Sequence, residues 1–233
     1  MSNFRTHSKV LLVSVLALSG LYGKESEEKE GLKSSLSVEF IDGKITLRTS
    51  EEGPSQSIRK GGTLPNQSRV FCRDGARLAL RNDYRSLRFM ENATFVPLAD
   101  SLFLWSGACL LDQRDKNVLR AKPFLLSAPE VAVECRGRGS IIAEVQTSGG
   151  MKVIGLTGFF KLRLPDKEGF TELRPGELRF VKPYGRGFGD LVHLNLETLI
   201  STAALINEFP RNISLETELA KVVLEQTPLV TKR

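Results

Sequence analysis

Residues 133–142, with the sequence VECRGRGSII, place a cysteine and two closely spaced glycines between apolar stretches. Such a stretch could cradle a phosphate, carry a reactive thiol or form a turn between strands. A dinucleotide-binding loop needs a third glycine three residues after the second, where a helix opens toward the pyrophosphate. Position 142 is Ile142, and the following EVQTSGG has no helical period. The sequence therefore excludes a phosphate loop and leaves the thiol and the turn open.

Side chains suited to catalysis or metal binding are few. Once the N-terminal segment discussed below is removed, His193 is the one histidine, and no Gly-x-Ser-x-Gly elbow accompanies it. Cys72, Cys109 and Cys135 share no short-spacing ligand motif with each other or with His193. The sequence predicts a structural, partly buried histidine at the start of a helix, no metal site, no cofactor and no catalytic residues.

Two pairs of acidic residues could serve as general acid and base. Asp112 with Asp115, and Asp166 with Glu168, lie in polar segments that are typical of turns, where solvated carboxylates are usual. Glycoside hydrolysis needs two carboxylates held rigidly across a sugar, and turn residues give no sign of that frame. The sequence therefore predicts that the protein is not an enzyme.

The three cysteines occupy positions that a small apolar residue would fill in a β core. Val131, Val133 and Cys135 alternate along one strand face, as do Val70 with Cys72. Arg136 and Arg138 point to the other face of a regular strand, away from the Cys135 thiol. Free cysteine is among the most often buried residues, so we expect three buried thiols. The alternative is one disulfide, from Cys72 to Cys109 or from Cys109 to Cys135.

The first 23 residues have the pattern of a secretory signal. A basic segment with Arg5 and Lys9 precedes the apolar run 10–22, and Gly20 or Gly23 offers a cleavage site. An uncleaved anchor is the alternative, but spanning a bilayer takes about 20 apolar residues. The sequence predicts a periplasmic or extracellular protein, with the charged residues 24–35 as a linker and no later membrane span.

Net charge argues against nucleic acid as a partner. The chain carries +6, and removal of Arg5 and Lys9 with the signal leaves 31 basic against 27 acidic residues, or +4. A mildly basic, exported protein meets little nucleic acid. Envelope proteins and anionic envelope polymers remain as partners.

Short alternating runs dominate residues 36–183. Apolar and polar residues alternate in thirteen runs, separated by turn pairs such as Asp42-Gly43 and Pro175-Gly176. The runs are LSVEFI, KITLRT, RVFCR, ARLAL, LRFM, LFLW, ACLLD, FLLS, VAVECR, SIIAEV, KVIGL, FFKLRL and ELRFV. This spacing predicts an all-β domain, which could be a sandwich, a barrel or a solenoid.

From residue 190 to 228 the period changes to that of helices. Leu196, Leu199 and Ile206 share one face of a helix that Asn195 can cap and Pro210 stops. A second apolar stripe runs from Ser214 to Pro228. One-sided stripes favour docking on the β domain over a free partner surface.

Five arginines recur at every fourth position, opposite in parity to the neighbouring apolar residues. They are Arg69, Arg73, Arg77, Arg81 and Arg85. The sequence predicts that they form a basic patch across two strands joined by the Asp74-Gly75 turn. The patch is either a solubilising outer face or a contact for an anionic partner.

The order of these features resembles the FecR-like domain of bacterial iron-responsive signalling proteins, over residues 60–183. Its opening pattern is matched by Gly62, Leu64, Ser68, Val70, Asp74-Gly75, Leu78 and Leu80. Later segments are matched by Leu102, Leu104, Gly107, Leu111, Pro129, Val131, Val133, Gly139-Ser140, Val153, Leu156, Gly158, Leu173, Pro175, Gly176 and Glu177.

The resemblance implies a FecR-type β domain, solenoid or sandwich-like, in which Gly139 lies in a tight turn between strands and Gly158 and Gly176 are further turn glycines. Ser140 stands where the family usually has threonine, and Ile142 where it has phenylalanine. Family members carry a cytoplasmic anti-sigma segment before their membrane span, whereas nine residues precede the apolar run here. We therefore expect no direct binding to a sigma factor.

The resemblance and the residues together predict an exported, non-catalytic module that binds a protein or a cell-envelope component in envelope sensing or signalling. The alternative is a structural scaffold attached to an anionic envelope polymer through the arginine patch.

Overall fold

The computed structural model describes residues 36–50, 52–65, 67–98, 100–114 and 123–230, with backbone alone for Ile213 and residues 227–230. The predicted signal, the linker and Asp115 lie outside the described residues. From residue 36 onward the described chain belongs to one compact unit. Within this part of the chain, no helix has the length and apolar character needed to cross a membrane.

Within the described residues, fifteen strands and three helices follow one another. The strands are β1 (Ser37–Asp42), β2 (Ile45–Arg48), β3 (Gln56–Ser57), β4 (Arg69–Cys72), β5 (Arg77–Arg81), β6 (Arg85–Phe89), β7 (Thr94–Pro97), β8 (Ser101–Ser106), β9 (Ala108–Gln113), β10 (Phe124–Ala128), β11 (Val131–Val145), β12 (Met151–Arg163), β13 (Thr171–Leu173), β14 (Glu177–Lys182) and β15 (Gly187–His193). The helices are α1 (Leu196–Thr202), α2 (Ala204–Asn207) and α3 (Ile213–Val230).

All fifteen strands belong to a single curled sheet of half-barrel shape, which confirms the mainly β prediction. Its main path runs β1-β5-β6-β9-β11-β10-β8-β7-β4-β2-β3, and β12 carries β13, β14 and β15 as a branch. Strands β8 and β10 pair in parallel, and the other described pairs are antiparallel. The strand spacing left a sandwich, a barrel or a solenoid open, and the arrangement found is one curled half-barrel sheet.

The β11–β12 hairpin is the spine of the sheet. Strand β11 pairs along one edge with β12, and along the other with β10 at its beginning and β9 toward its end. A β-bulge interrupts the hairpin after Ser140, which pairs with Thr157, while Ile141 pairs with Gly155. Leu156 is therefore an extra residue on β12.

Glycines occur where the two strands of this hairpin approach most closely. Gly139 lies inside β11 directly opposite Gly158 inside β12, so neither glycine lies in the turn that was predicted for it. A Cβ on Gly139 would lie 2.1 Å from the Thr157 carbonyl oxygen, so no side chain fits. Gly176 does lie in a turn, between β13 and β14.

The two faces of the sheet bury different clusters. The inner face encloses the main core, which includes the fully buried Phe89, Phe95, Phe124 and Phe160. Phe89 and Phe95 stack with ring centroids 3.6 Å apart. The outer face carries a second, smaller apolar cluster to which the helices contribute.

The helices dock on the outer face, as their apolar stripes predicted. Leu196, Leu215 and Leu219 join Ile142 and Ile154 of the sheet in one buried cluster. Asn195 caps α1, accepting a 2.8 Å hydrogen bond from the Thr198 N–H. The helical region begins later than residue 190, since residues 187–193 form β15 and His193 ends that strand.

Candidate functional site

The arginine row does not form a shared patch. Strand β4, with Arg69, pairs with β2 and β7, whereas β5, with Arg77 and Arg81, pairs with β1 and β6. The Asp74-Gly75 turn therefore joins two strands that are not neighbours in the sheet. Arginines four residues apart share one face only if β4 and β5 belong to one hairpin. The predicted basic patch across these two strands is therefore wrong.

Three of the five arginines are engaged within the fold. Arg85 is 7% exposed, against the prediction of an outward side chain, and its Nη1 lies 2.9 Å from Asp100 Oδ1. Its guanidinium also lies 4.9 Å from the Phe124 ring centroid. Arg81 pairs with Glu39 at 3.0 Å, and Arg77 pairs with Asp42. Arg69 and Arg73 lie over aromatic rings, those of Trp105 and Phe71.

The different environments of Arg77 and Arg73 give a matched test. Arg77 donates to the Glu208 carbonyl oxygen at 2.8 Å and pairs with Asp42, so Arg77→Glu would set three carboxylates together. We expect this change to cost about 1–2 kcal/mol of unfolding free energy, and Arg73→Glu, at an exposed site, at most about 0.5 kcal/mol. Urea denaturation of both variants measures this difference. Equal costs would contradict the structure at Arg77.

The cysteines lie on the inner face, as predicted from parity. Cys72, Cys109 and Cys135 are all buried and free, and no disulfide joins them. Burial raises the pKa of Cys72 and of Cys109 to about 12, and it raises the pKa of Cys135 as well. A reactive thiol needs a lowered pKa, which stabilises the thiolate, and it must be accessible. These thiols are core side chains.

The other candidate catalytic groups are not brought together. His193 is exposed at the end of β15, and Asp166 and Glu168 are exposed in the loop after β12. Asp112 is buried on β9, where it accepts a 3.0 Å hydrogen bond from Ser140 and a 2.6 Å one from Arg114. Among the described residues, no group of three or more His, Cys, Asp or Glu side chains could hold a metal ion.

A buried polar network marks where the helices stop covering the hairpin. Thr157 Oγ1 accepts from the Ser140 N–H at 3.0 Å and lies 3.5 Å from Glu218 Oε2 of α3. On β6, which β9 separates from the hairpin, Arg88 Nη1 donates to the Leu205 carbonyl oxygen at 3.3 Å, and burial lowers the Arg88 pKa. Together these contacts fix the helices over the half of the hairpin that follows residue 140.

The other half of the hairpin is uncovered and carries four exposed side chains on its outer face, with a fifth, Phe170, from the loop after β12. We name this set the basic–aromatic face, and its members are Arg136, Arg138, Phe159, Lys161 and Phe170. Phe159 is 38% exposed and Phe170 is 47% exposed. Arg136 lies opposite Lys161 in the strand register, and Arg138 lies opposite Phe159.

Within the described residues, Arg136 and Arg138 form no ion pair, and Lys161 lies opposite Glu172 of β13 in the strand register. The two acids on the same face are engaged elsewhere, Glu134 with Arg163 at 2.6 Å and Glu172 with Arg174 at 2.9 Å. The Phe170 ring lies between two guanidinium groups, 5.9 Å from that of Arg136 and 5.6 Å from that of Arg163. Like charges directly opposite each other destabilise a strand pair. Arg136 and Lys161 therefore form an unfavourable pair, while Lys161 has Glu172 opposite it on its other side.

The helices also leave a cleft of about 680 Å³. Its lining includes the apolar side chains of Phe209, Leu219 and Leu224, with Arg211 and Glu216 among them. Arg211 and Glu216 pair with each other at 3.3 Å. The cleft therefore offers apolar surface and no unpaired charge from these two residues.

Sequence reasoning placed Arg136 and Arg138 on the face away from Cys135 but missed the rest of the basic–aromatic face, because it assigned turns to Gly139 and Gly158. The signal was present in RGRG and in FFKLR, where charged or exposed residues alternate with glycine or core residues. Continuous alternation through Gly137 and Gly139 places Arg136 and Arg138 on one face. The position of Phe170, in a loop, has no such signal.

Comparisons with known proteins find similarity in fold only. Neither protein-family models nor curated proteins give a match. Two crystal structures, each of a putative anti-sigma factor from Parabacteroides distasonis ATCC 8503, are similar to the chain. One has 17% identity over 59% of this chain and a TM-score of 0.44, and the other 16% over 53% and 0.40. The chain covers 63% and 57% of those two chains, less than two thirds of their length. The similarity thus extends over about half of this chain, at low identity.

Proposed function

We propose that the protein is an exported, non-catalytic module of FecR type that binds a protein or an envelope component through its basic–aromatic face. The observation that supports this most strongly is the lack of carboxylates paired with the arginines of that face. Arg136 and Arg138 form no ion pair in the described chain, although the acids Glu134 and Glu172 lie on the same surface. Arginine and phenylalanine are both enriched in protein interfaces.

The scaffold hypothesis loses its main support, since the arginine row on which it depended is split between distant strands and partly buried. Export and the lack of catalysis are proposals that follow from the sequence pattern of residues 1–23 and from the scattered positions of His193 and the acidic residues.

Binding of the purified protein to isolated cell envelope tests the proposed module. We expect saturable binding that persists in about 0.5 M salt, where charges are screened beyond roughly 4–5 Å. The double variant Arg136→Glu, Arg138→Glu should lose it. The control Arg59→Glu, Lys60→Glu makes the same change in net charge at exposed positions on another part of the chain and should retain it.

Two results would contradict the proposal. Wild-type protein that shows no saturable binding to the envelope would exclude a binding module of this kind. Binding that disappears with salt and weakens equally in both double variants would indicate non-specific attraction to an anionic polymer, which is the scaffold behaviour.

A further inference from the structure

The spacing of the cations on the basic–aromatic face matches that of side chains on an extended peptide. Arg136 and Arg138 are two residues apart on the same face of β11, which separates them by about 7 Å along the strand. Acidic side chains at alternate positions of a bound extended segment have the same separation, because they too share one face. Each guanidinium can then bind one carboxylate with two parallel hydrogen bonds.

The aromatic rings decide between a protein and a purely anionic polymer. Phe159 lies opposite Arg138, and Phe170 lies beside Arg136, so each cation has an exposed apolar neighbour. A polymer bound by charge alone would gain nothing from contact with these rings. A protein segment with apolar side chains near its carboxylates removes them from water on binding.

We propose that the basic–aromatic face binds an extended segment of a partner protein, with acidic residues at alternate positions and apolar residues flanking them. The carboxylates pair with Arg136 and Arg138, and the apolar side chains pack on Phe159 and Phe170. This inference rests on the proposed function and specifies the partner of that site.

Two labelled peptides of identical composition test the spacing. Leu-Ser-Glu-Ser-Glu-Ser-Leu places both glutamates and both leucines on one face when extended, whereas Leu-Ser-Ser-Glu-Glu-Ser-Leu places the glutamates on opposite faces. Fluorescence anisotropy with the full chain should show at least tenfold tighter binding of the first peptide. Arg136→Glu with Arg138→Glu should weaken that binding at least tenfold, and Arg59→Glu with Lys60→Glu should change it less than twofold. Circular dichroism confirms that both variants are folded.

Several outcomes would overturn the inference. Equal binding of the two peptides would remove the argument from spacing. Polygalacturonate that binds more tightly than either peptide, and is lost in the Arg136→Glu, Arg138→Glu variant, would assign the face to anionic polysaccharide. Envelope binding retained by that same variant would overturn the inference and leave a binding module acting through another surface. Absence of any envelope binding by the wild type would instead count against the proposed function alone.

Discussion

Gly158→Ala should lower the unfolding free energy by at least about 3 kcal/mol. The backbone at Gly158 has φ +71°, where a side chain costs roughly 1–2 kcal/mol. The new Cβ would also lie 1.9 Å from the Arg138 carbonyl oxygen, so β11 and β12 must separate. Separation breaks ladder hydrogen bonds worth about 1 kcal/mol each. Urea denaturation followed by circular dichroism measures the loss.

Gly169→Ala separates the two causes. Gly169 has φ +87°, but a Cβ there would meet nothing within 4 Å. We expect this variant to lose only the conformational part, about 1–2 kcal/mol. Similar losses in both variants would mean that the strands at Gly158 do not approach as closely as the structure shows.

Alkaline pH should destabilise the protein through its three buried thiols. An ordinary thiol has a pKa of about 8.5, whereas burial raises the pKa of Cys72 and Cys109 to about 12 and also raises that of Cys135. Above about pH 8.5 the unfolded chain releases these protons and the folded chain keeps them. Stability contributed by the thiols is therefore complete below that pH and is lost as pH rises toward 12. The loss is about 1.4 kcal/mol per pH unit for each thiol.

Lysine and tyrosine side chains also titrate in this range, so the effect is read as a difference between proteins. Urea midpoints from pH 7.5 to 10 under reducing conditions should fall more steeply for the wild type than for the triple variant Cys72→Ala, Cys109→Ala, Cys135→Ala. By pH 10 the difference in unfolding free energy between the wild type and the triple variant should shrink by about 2 kcal/mol per thiol. The single variant Cys72→Ala should show about one third of this change. Parallel curves for the wild type and the triple variant would mean that the thiols are accessible in the folded protein.

Alternation of apolar and polar residues predicted most strands because each has one face in a core. The runs VAVECR and SIIAEV proved to be one strand, β11, and KVIGL with FFKLRL proved to be β12. Glycine marks a turn in a sequence when the chain reverses there, but Gly139 and Gly158 allow two strands to approach. Sequence pattern alone cannot distinguish these causes, since the second depends on which strand lies opposite.

The candidate site was less predictable than the fold. Parity placed the cysteines correctly, since each of those arguments stayed within one strand. The arginine row failed because it depended on β4 and β5 being neighbours, and register between strands is set by distant pairings. Strands β3, β7, β13 and β15 were not predicted, because they are short or contain glycine and proline among few core residues.

The extra residue at Leu156 divides β12 into two segments of opposite parity. Before it, odd-numbered Met151 and Val153 enter the inner core, and beyond it even-numbered Phe160 and Leu162 do so. Because Gly155 pairs with Ile141 and Thr157 pairs with Ser140, deleting Leu156 would give a regular ladder and leave Phe160 in the core and Lys161 exposed. Evolution can therefore remove this one residue at the bulge without turning a side chain over, whereas loss of one residue elsewhere in β12 would reverse the faces of the segment beyond it.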